Sequence, residues 1–177
     1  MRFIEEPGTL LRLYRPMKLT TILSTVVALA VSLSAHAETV TLTGVHNCCK
    51  KCDDGIVKAV TSAGAEAKTN KGTVTITAAD AAGAKKAVAA LLAAGYAGKG
   101  AEVPAVTDAK VKSATVSGVH LCCGKCVTAA EKAVLSVKGV TKHDATKGAE
   151  SFKVEGDFST AELAAALNKC GLNGSIK

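Results

Sequence analysis

A short cysteine-rich block occurs twice in this chain. Residues 44 to 52 read Gly-Val-His-Asn-Cys-Cys-Lys-Lys-Cys, and residues 118 to 126 read Gly-Val-His-Leu-Cys-Cys-Gly-Lys-Cys. Each block follows a Thr/Val-rich stretch and leads into a helical pattern. The match returns at the far end of each unit, where Ala93-Ala94-Gly95-Tyr96-Ala97-Gly98 corresponds to Lys169-Cys170-Gly171-Leu172-Asn173-Gly174. Duplication on this scale requires a fold small enough to be built twice, in about 65 residues each time. The expected division is a first domain over 38–100, a linker over 101–112 containing Pro104, and a second domain over 113–177.

Each unit parses in the same order. In the second, Ala114 to Gly118 alternates as a strand with one buried face. Val127, Ala130, Val134 and Val137 recur at helical spacing, and Gly139 closes that helix. A modest strand follows over Val140 to Ala145, then a turn at Thr146-Lys147-Gly148. Phe152, Val154 and Gly156 alternate as another strand. Ser159-Thr160-x-Glu162 has the form of a capping box before Leu163, Leu167 and Cys170. Ser175-Ile176-Lys177 is a short last strand. The first unit repeats this with a strand at Thr39 to Thr43 and a helix carrying Ile56 and Val60. A strand near Glu66 to Lys68 and a turn at Asn70-Lys71-Gly72 come next, then a strand at Val74 to Thr77 and a helix with Val88, Leu91 and Leu92. The expected class is α+β, with βαββαβ twice: two tandem ferredoxin-like sandwiches.

The strand, cysteine loop and helix, in this order, resemble the heavy-metal-associated (HMA) domain. That domain is found in copper chaperones, in N-terminal modules of metal-exporting ATPases and in the periplasmic mercury-binding protein of resistance systems. The resemblance covers nearly all of 38–177. Family members usually read Gly-Met-x-Cys-x-x-Cys. Here Val45 and Val119 stand for the methionine, and two extra residues precede Cys49-x-x-Cys52 and Cys123-x-x-Cys126. The resemblance implies a non-enzymatic metallochaperone, carrier or scavenger with up to one ion per domain. It also implies a membrane metal transporter or another metal-binding domain as partner. The chain is expected to act as a monomer.

The chemistry of the residues supports metal capture. Two cysteines separated by two residues meet one ion when the first lies in a loop and the second opens a helix. The free amides of a helix N-terminus favour the thiolate, and Lys50, Lys51 and Lys125 are expected to act in the same direction. Thiolates select soft or borderline ions, here Cu(I), Hg(II), Zn(II) or Cd(II). Cys48 and Cys122 are extra to the family pattern and read either as third thiolates or as loop residues pointing away. His46 and His120 read as borderline ligands or as strand-end surface residues, and His143 as a solvated strand residue. Cys170, whose counterpart is Ala94, is expected beside the loop of Cys122, Cys123 and Cys126, as a ligand or as a small core residue.

Two rival uses of the same cysteines remain open: a thiol–disulfide oxidoreductase or redox sensor, and a purely structural disulfide protein. Against them stand three cysteines per block, an awkward number for disulfides, and the lack of any proline inside either unit to face a CxxC. No nucleophile–His–Asp constellation or phosphate loop is present.

Exported proteins often hold disulfides, and the N-terminus points to export. Met17-Lys18 is a short basic start, Ile22 to Leu33 carries no charge, and Ala35-His36-Ala37 is a small-x-small pattern. Residues 1–37 therefore read as a signal peptide cleaved after Ala37, giving a periplasmic or secreted protein. Glu5, Glu6 and Pro7 sit oddly before such a signal, and the expected start is Met17, the rival being a long basic leader. Removing the four basic and two acidic residues before Glu38 leaves 18 Lys and Arg against 13 Asp and Glu, a net charge of +5. Those lysines are scattered. Tyr96, Phe152 and Phe158 are the only aromatic residues after Ala37, so a nucleic-acid stacking platform is excluded.

Overall fold

A computed structural model of the protein describes residues 36–177. The segment read as a signal peptide lies outside the described residues, apart from its last two positions. The first half contains β1 (Glu38–Leu42), α1 (Lys50–Ser62), β2 (Glu66–Asn70), β3 (Thr73–Ala78) and α2 (Ala81–Ala93). The second contains β4 (Lys110–Ser117), α3 (Gly124–Leu135), β5 (Val140–His143), β6 (Ser151–Ser159), α4 (Thr160–Lys169) and β7 (Ser175–Ile176). The class is α+β, with two antiparallel sheets ordered β1-β3-β2 and β5-β6-β4-β7.

The second half carries the βαββαβ order in full, compatible with a ferredoxin-like sandwich. In the first half a single antiparallel bridge replaces the last strand. There the Thr43 amide donates to the Lys99 carbonyl at 3.1 Å, and the Lys99 amide returns a bond to Thr43 at 2.8 Å.

Side-chain periodicity explains which faces are buried. Val74, Ile76 and Ala78 alternate along the inner face of β3, while Cys52, Ile56 and Val60 recur every four residues along α1 and are buried. Each large aliphatic residue of this kind contributes about 1.5–3 kcal/mol when fully buried. The β2–β3 hairpin turns on Lys71 (φ 44°) and Gly72 (φ 84°), the two left-handed residues that a tight hairpin of the native twist needs.

Helix starts fall into two kinds. Asp80 Oδ1 accepts from the Gly83 amide at 2.7 Å, and Ser159 Oγ accepts from the Glu162 amide at 3.1 Å, so α2 and α4 are capped by side chains. At α1 and α3 the cap position is taken by Cys49 and Cys123, in extended backbone and with no capping bond from the side chain. At those two helices first-turn amides lie beside a cysteine sulfur.

β4 begins at Lys110, inside the stretch expected as a linker over 101–112. A register shift between Val111 and Ser113 breaks the alternation that would have revealed it. The preceding residues are tied to the second half: Thr160 Oγ1 donates to the Thr107 carbonyl and accepts from the Ala109 amide, both at 3.0 Å.

The described residues all belong to one compact unit. The halves meet at the corners that follow α2 and α4, where Tyr96 and Leu172 pair as an antiparallel bridge and are both fully buried. The Asn173 amide donates to the Gly95 carbonyl at 2.9 Å, and the Ala97 and His46 amides donate to the Gly171 carbonyl at 3.0 and 3.1 Å. Gly95 (φ 90°) and Gly171 (φ 82°) are left-handed, and each presses on the cysteine loop of the other half. A Cβ on Gly95 would collide with the backbone of Gly118 and His120, and one on Gly171 with that of Gly44 and His46.

Candidate metal centre

Each cysteine loop leaves its strand through a left-handed glycine, Gly44 or Gly118, and enters its helix at Cys49 or Cys123. Val45 and Val119, standing where the resembled family has methionine, are buried and anchor the loops in the core. The Val45 amide donates to the Gly72 carbonyl at 2.9 Å, so the first loop is held by the β2–β3 turn. In the first loop Asn47 Nδ2 donates to Asp53 Oδ1 at 2.7 Å; in the second, Leu121 is buried instead.

Because each corner presses on the opposite loop, the two loops face one another and six thiols converge. Cys52 Sγ lies 3.8 Å from Cys48, 3.7 Å from Cys49, 3.7 Å from Cys122 and 3.8 Å from Cys126. Cys126 Sγ lies 3.7 Å from Cys48, 3.8 Å from Cys122 and 3.5 Å from Cys123. The crossed pairs Cys48–Cys123 and Cys49–Cys122 are 3.5 and 3.8 Å apart. The pattern maps onto itself when 48, 49 and 52 are exchanged for 122, 123 and 126, an approximate two-fold axis passing between Cys52 and Cys126. Sequence reading treats the blocks as separate sites, one per domain; the structure joins them. Register along one chain gave no sign of this, since it depends on how two corners pack.

All the cysteines are free thiols. The spacing suits metal ligation: four thiolates about 2.3 Å from a tetrahedral ion are about 3.8 Å apart. Burial comes first in pushing the Cys48 and Cys122 thiols up to about 12, and burial also raises Cys126. Cys123 is drawn down to about 6, chiefly by the Cys126 backbone amide, and Cys49 is lowered by that of Cys52. The backbone amides of Lys51 and Lys125 add to this. The Lys50 ammonium does not have the role expected of it: it turns outward and pairs with Asp54 at 2.9 Å. The odd number of cysteines per block, an argument against disulfides, also loses its force once six thiols share one site.

His46 and His120 stand two residues before Cys48 and Cys122. Nε2 of both His46 and His120 is buried without a hydrogen-bond partner, and burial lowers both pKa values, favouring the neutral imidazole. His46 groups with Cys48 and Cys126, their ligand atoms all within 4.8 Å of one another. His120 instead stacks on Tyr96, with ring centroids 4.7 Å apart. The Tyr96 hydroxyl donates to the Cys52 carbonyl at 3.3 Å. Tyr96, which the sequence marks only as a corner residue, is therefore a central support of the site.

Cys170 does not join the cluster. Its Sγ donates to the Leu167 carbonyl at 3.0 Å, and the adjoining Gly171 rests on the first half's loop rather than on that of Cys122, Cys123 and Cys126. His143 is not the solvated residue expected: its side chain is 13% exposed, with Nδ1 accepting from the Ala145 amide and Nε2 3.9 Å from Glu131.

No protein-family model matches the chain, and no curated protein sequence matches it. Among solved structures it is similar to the solution structure of the N-terminal soluble domains of Bacillus subtilis CopA. That likeness is 17% identical, covers 81% of this chain and 95% of the other, and has a TM-score of 0.32.

Proposed function

We propose that this chain is a non-enzymatic soft-metal-binding protein that captures ions on its six-thiol cluster and passes them on by thiolate exchange. The observation that carries this reading is the convergence of six Sγ atoms from two loops at 3.5–3.8 Å. Soft and borderline ions, Cu(I), Hg(II), Zn(II) or Cd(II), are the cargo that such donors select. Cys49 and Cys123 are less buried than Cys52 and Cys126, and they are the natural points of attack for a partner's thiolate. The partner is a membrane metal transporter or another metal-binding domain. Export to the periplasm or beyond rests on the pattern ending at Ala37 and predicts a mature protein starting at Glu38. Native mass spectrometry of the reduced protein with competing metals tests the reading. Retention of a soft ion over Mg(II) and Ca(II), lost when all six cysteines are changed to Ser, is expected; equal retention by that variant sinks it.

A thiol–disulfide role has its own supporting observation. Cys123 Sγ, drawn toward the thiolate, lies 3.5 Å from both Cys48 and Cys126 Sγ. This reading predicts Cys123-linked disulfides in a glutathione buffer at redox potentials near those of known oxidoreductases. Their formation rate should fall as pH drops below about 6, where Cys123 becomes protonated. Failure to form them while soft metal is retained leaves the metal-binding reading alone.

A further inference from the structure

We infer that the two loops form a single polynuclear site, in which several Cu(I) ions are bridged by shared thiolates, rather than one ion in each half. This rests on the soft-metal reading above and concerns how the cargo is held. The sulfur contacts at 3.7–3.8 Å tie Cys52 and Cys126 to both loops and group the thiols in threes. Cys48, Cys52 and Cys126 form one triangular face, and Cys52, Cys122 and Cys126 another. An ion centred in such a face would sit about 2.2 Å from each sulfur, so a shift of about 0.1 Å gives an ordinary metal–thiolate bond of about 2.3 Å. The two faces share the Cys52–Cys126 edge. Ions entering both faces must share both sulfurs and stand outward from the face centres, which lie at most about 2.2 Å apart; this makes Cys52 and Cys126 bridging ligands. Further faces, Cys48 with Cys123 and Cys126, and Cys122 with Cys49 and Cys52, extend the arrangement symmetrically.

Charge points the same way. A single monovalent ion among six converging thiols would leave most of them protonated or their negative charge uncompensated. Isolated charge in a half-buried site is costly. The nearby Lys50 ammonium is directed away, its side chain 86% exposed and paired with Asp54. Several soft cations, each shared between sulfurs, neutralise the cluster without help from the protein. Sharing also makes loading cooperative, because the first ion organises sulfurs that the next ones use.

The test is an anaerobic titration of the reduced chain with Cu(I) buffered by a competing chelator, followed by native mass spectrometry and copper X-ray absorption. More than two ions per chain are expected at saturation, with apo and multiply loaded species coexisting at sub-stoichiometric copper, and a metal–metal scattering shell. Cys122→Ser, with its fold checked by circular dichroism, should bind at least one ion fewer and load stepwise. Saturation at one or two ions with no metal–metal shell overturns the inference while leaving soft-metal binding intact. Absence of tight Cu(I) binding together with absence of binding to other soft ions overturns both.

Discussion

The two halves reach the same arrangement of sulfur from unequal scaffolds. The second half has a four-stranded sheet, with β4 and β6 extending over eight and nine residues. The first has three strands and one bridging pair at Thr43 and Lys99. Yet Cys48, Cys49 and Cys52 repeat the mutual spacing of Cys122, Cys123 and Cys126 within a few tenths of an ångström. Sheet size is therefore not what places the thiols. The features common to both halves are a left-handed glycine at the strand end, a buried valine, a cysteine at the helix cap and a second cysteine on the buried helix face. The corner glycine of the opposite half completes the set.

The largest expected effect comes from breaking that last contact. Gly171→Ala and Gly95→Ala each add a Cβ in a left-handed conformation, against backbone of the other half. Each should lose about 2–4 kcal/mol of stability in a urea melt. Gly64→Ala is the control, being equally left-handed (φ 84°) with nothing within 4 Å of the added atom, and should lose about 1 kcal/mol. Equal losses at all three would mean that the halves do not meet as described.

Next in size is the dependence of one half's binding on the other's thiols. Cys49→Ser with Cys52→Ser strips the first loop of its CxxC. Independent halves would leave the second site at its original affinity. The joined cluster predicts that the remaining site weakens at least tenfold, about 1.4 kcal/mol. Chelator competition measures this, and Cys123→Ser with Cys126→Ser should give the mirror-image result.

Much of each half was legible in sequence because it is local. The alternation in β3, the four-residue stripe on α1 and the capping box at Ser159 each report a structure set by near neighbours. The Lys71-Gly72 turn was read for the same reason. What could not be read was set across the chain. That Gly95 faces Gly118, and Gly171 faces Gly44, depends on two folded units docking, and no periodicity records it. The same is true of the six-thiol cluster: every cysteine in it was recognised as a candidate, but their union was not. Cys170 was misplaced because its corner was assigned to its own half's loop.

The halves also differ on the axis itself, and the difference is compensated. Tyr96 reaches past the α1 residue Gly55, where an added Cβ would lie 2.5 Å from its hydroxyl oxygen. The corresponding positions in the second half are Leu172 and Ala129, a smaller side chain facing a larger one. Gly55→Ala alone should therefore cost about 1 kcal/mol despite Ala's better helix propensity. In a Tyr96→Leu background the same change should become neutral or stabilising. A double-mutant cycle gives this coupling directly; additivity within about 0.3 kcal/mol would show that the two sides of the axis are not matched pairs.

The smallest effect is expected at Cys170, for which the sequence left a ligand and a small core residue both open. Its half-buried thiol has the Leu167 carbonyl as its hydrogen-bond partner, and burial raises its pKa, as befits a neutral packing group rather than a ready thiolate. The first half has already made the substitution: Ala94 occupies the equivalent corner, at the end of α2, and the same left-handed glycine follows it. Cys170→Ala should therefore cost about 0.5 kcal/mol of apo-protein stability, and leave both the number of ions bound and their affinity unchanged. Weaker metal binding at unchanged apo stability would be the opposite result. It would return Cys170 to the ligand set and require the second half's corner to move toward its own loop when the cargo binds.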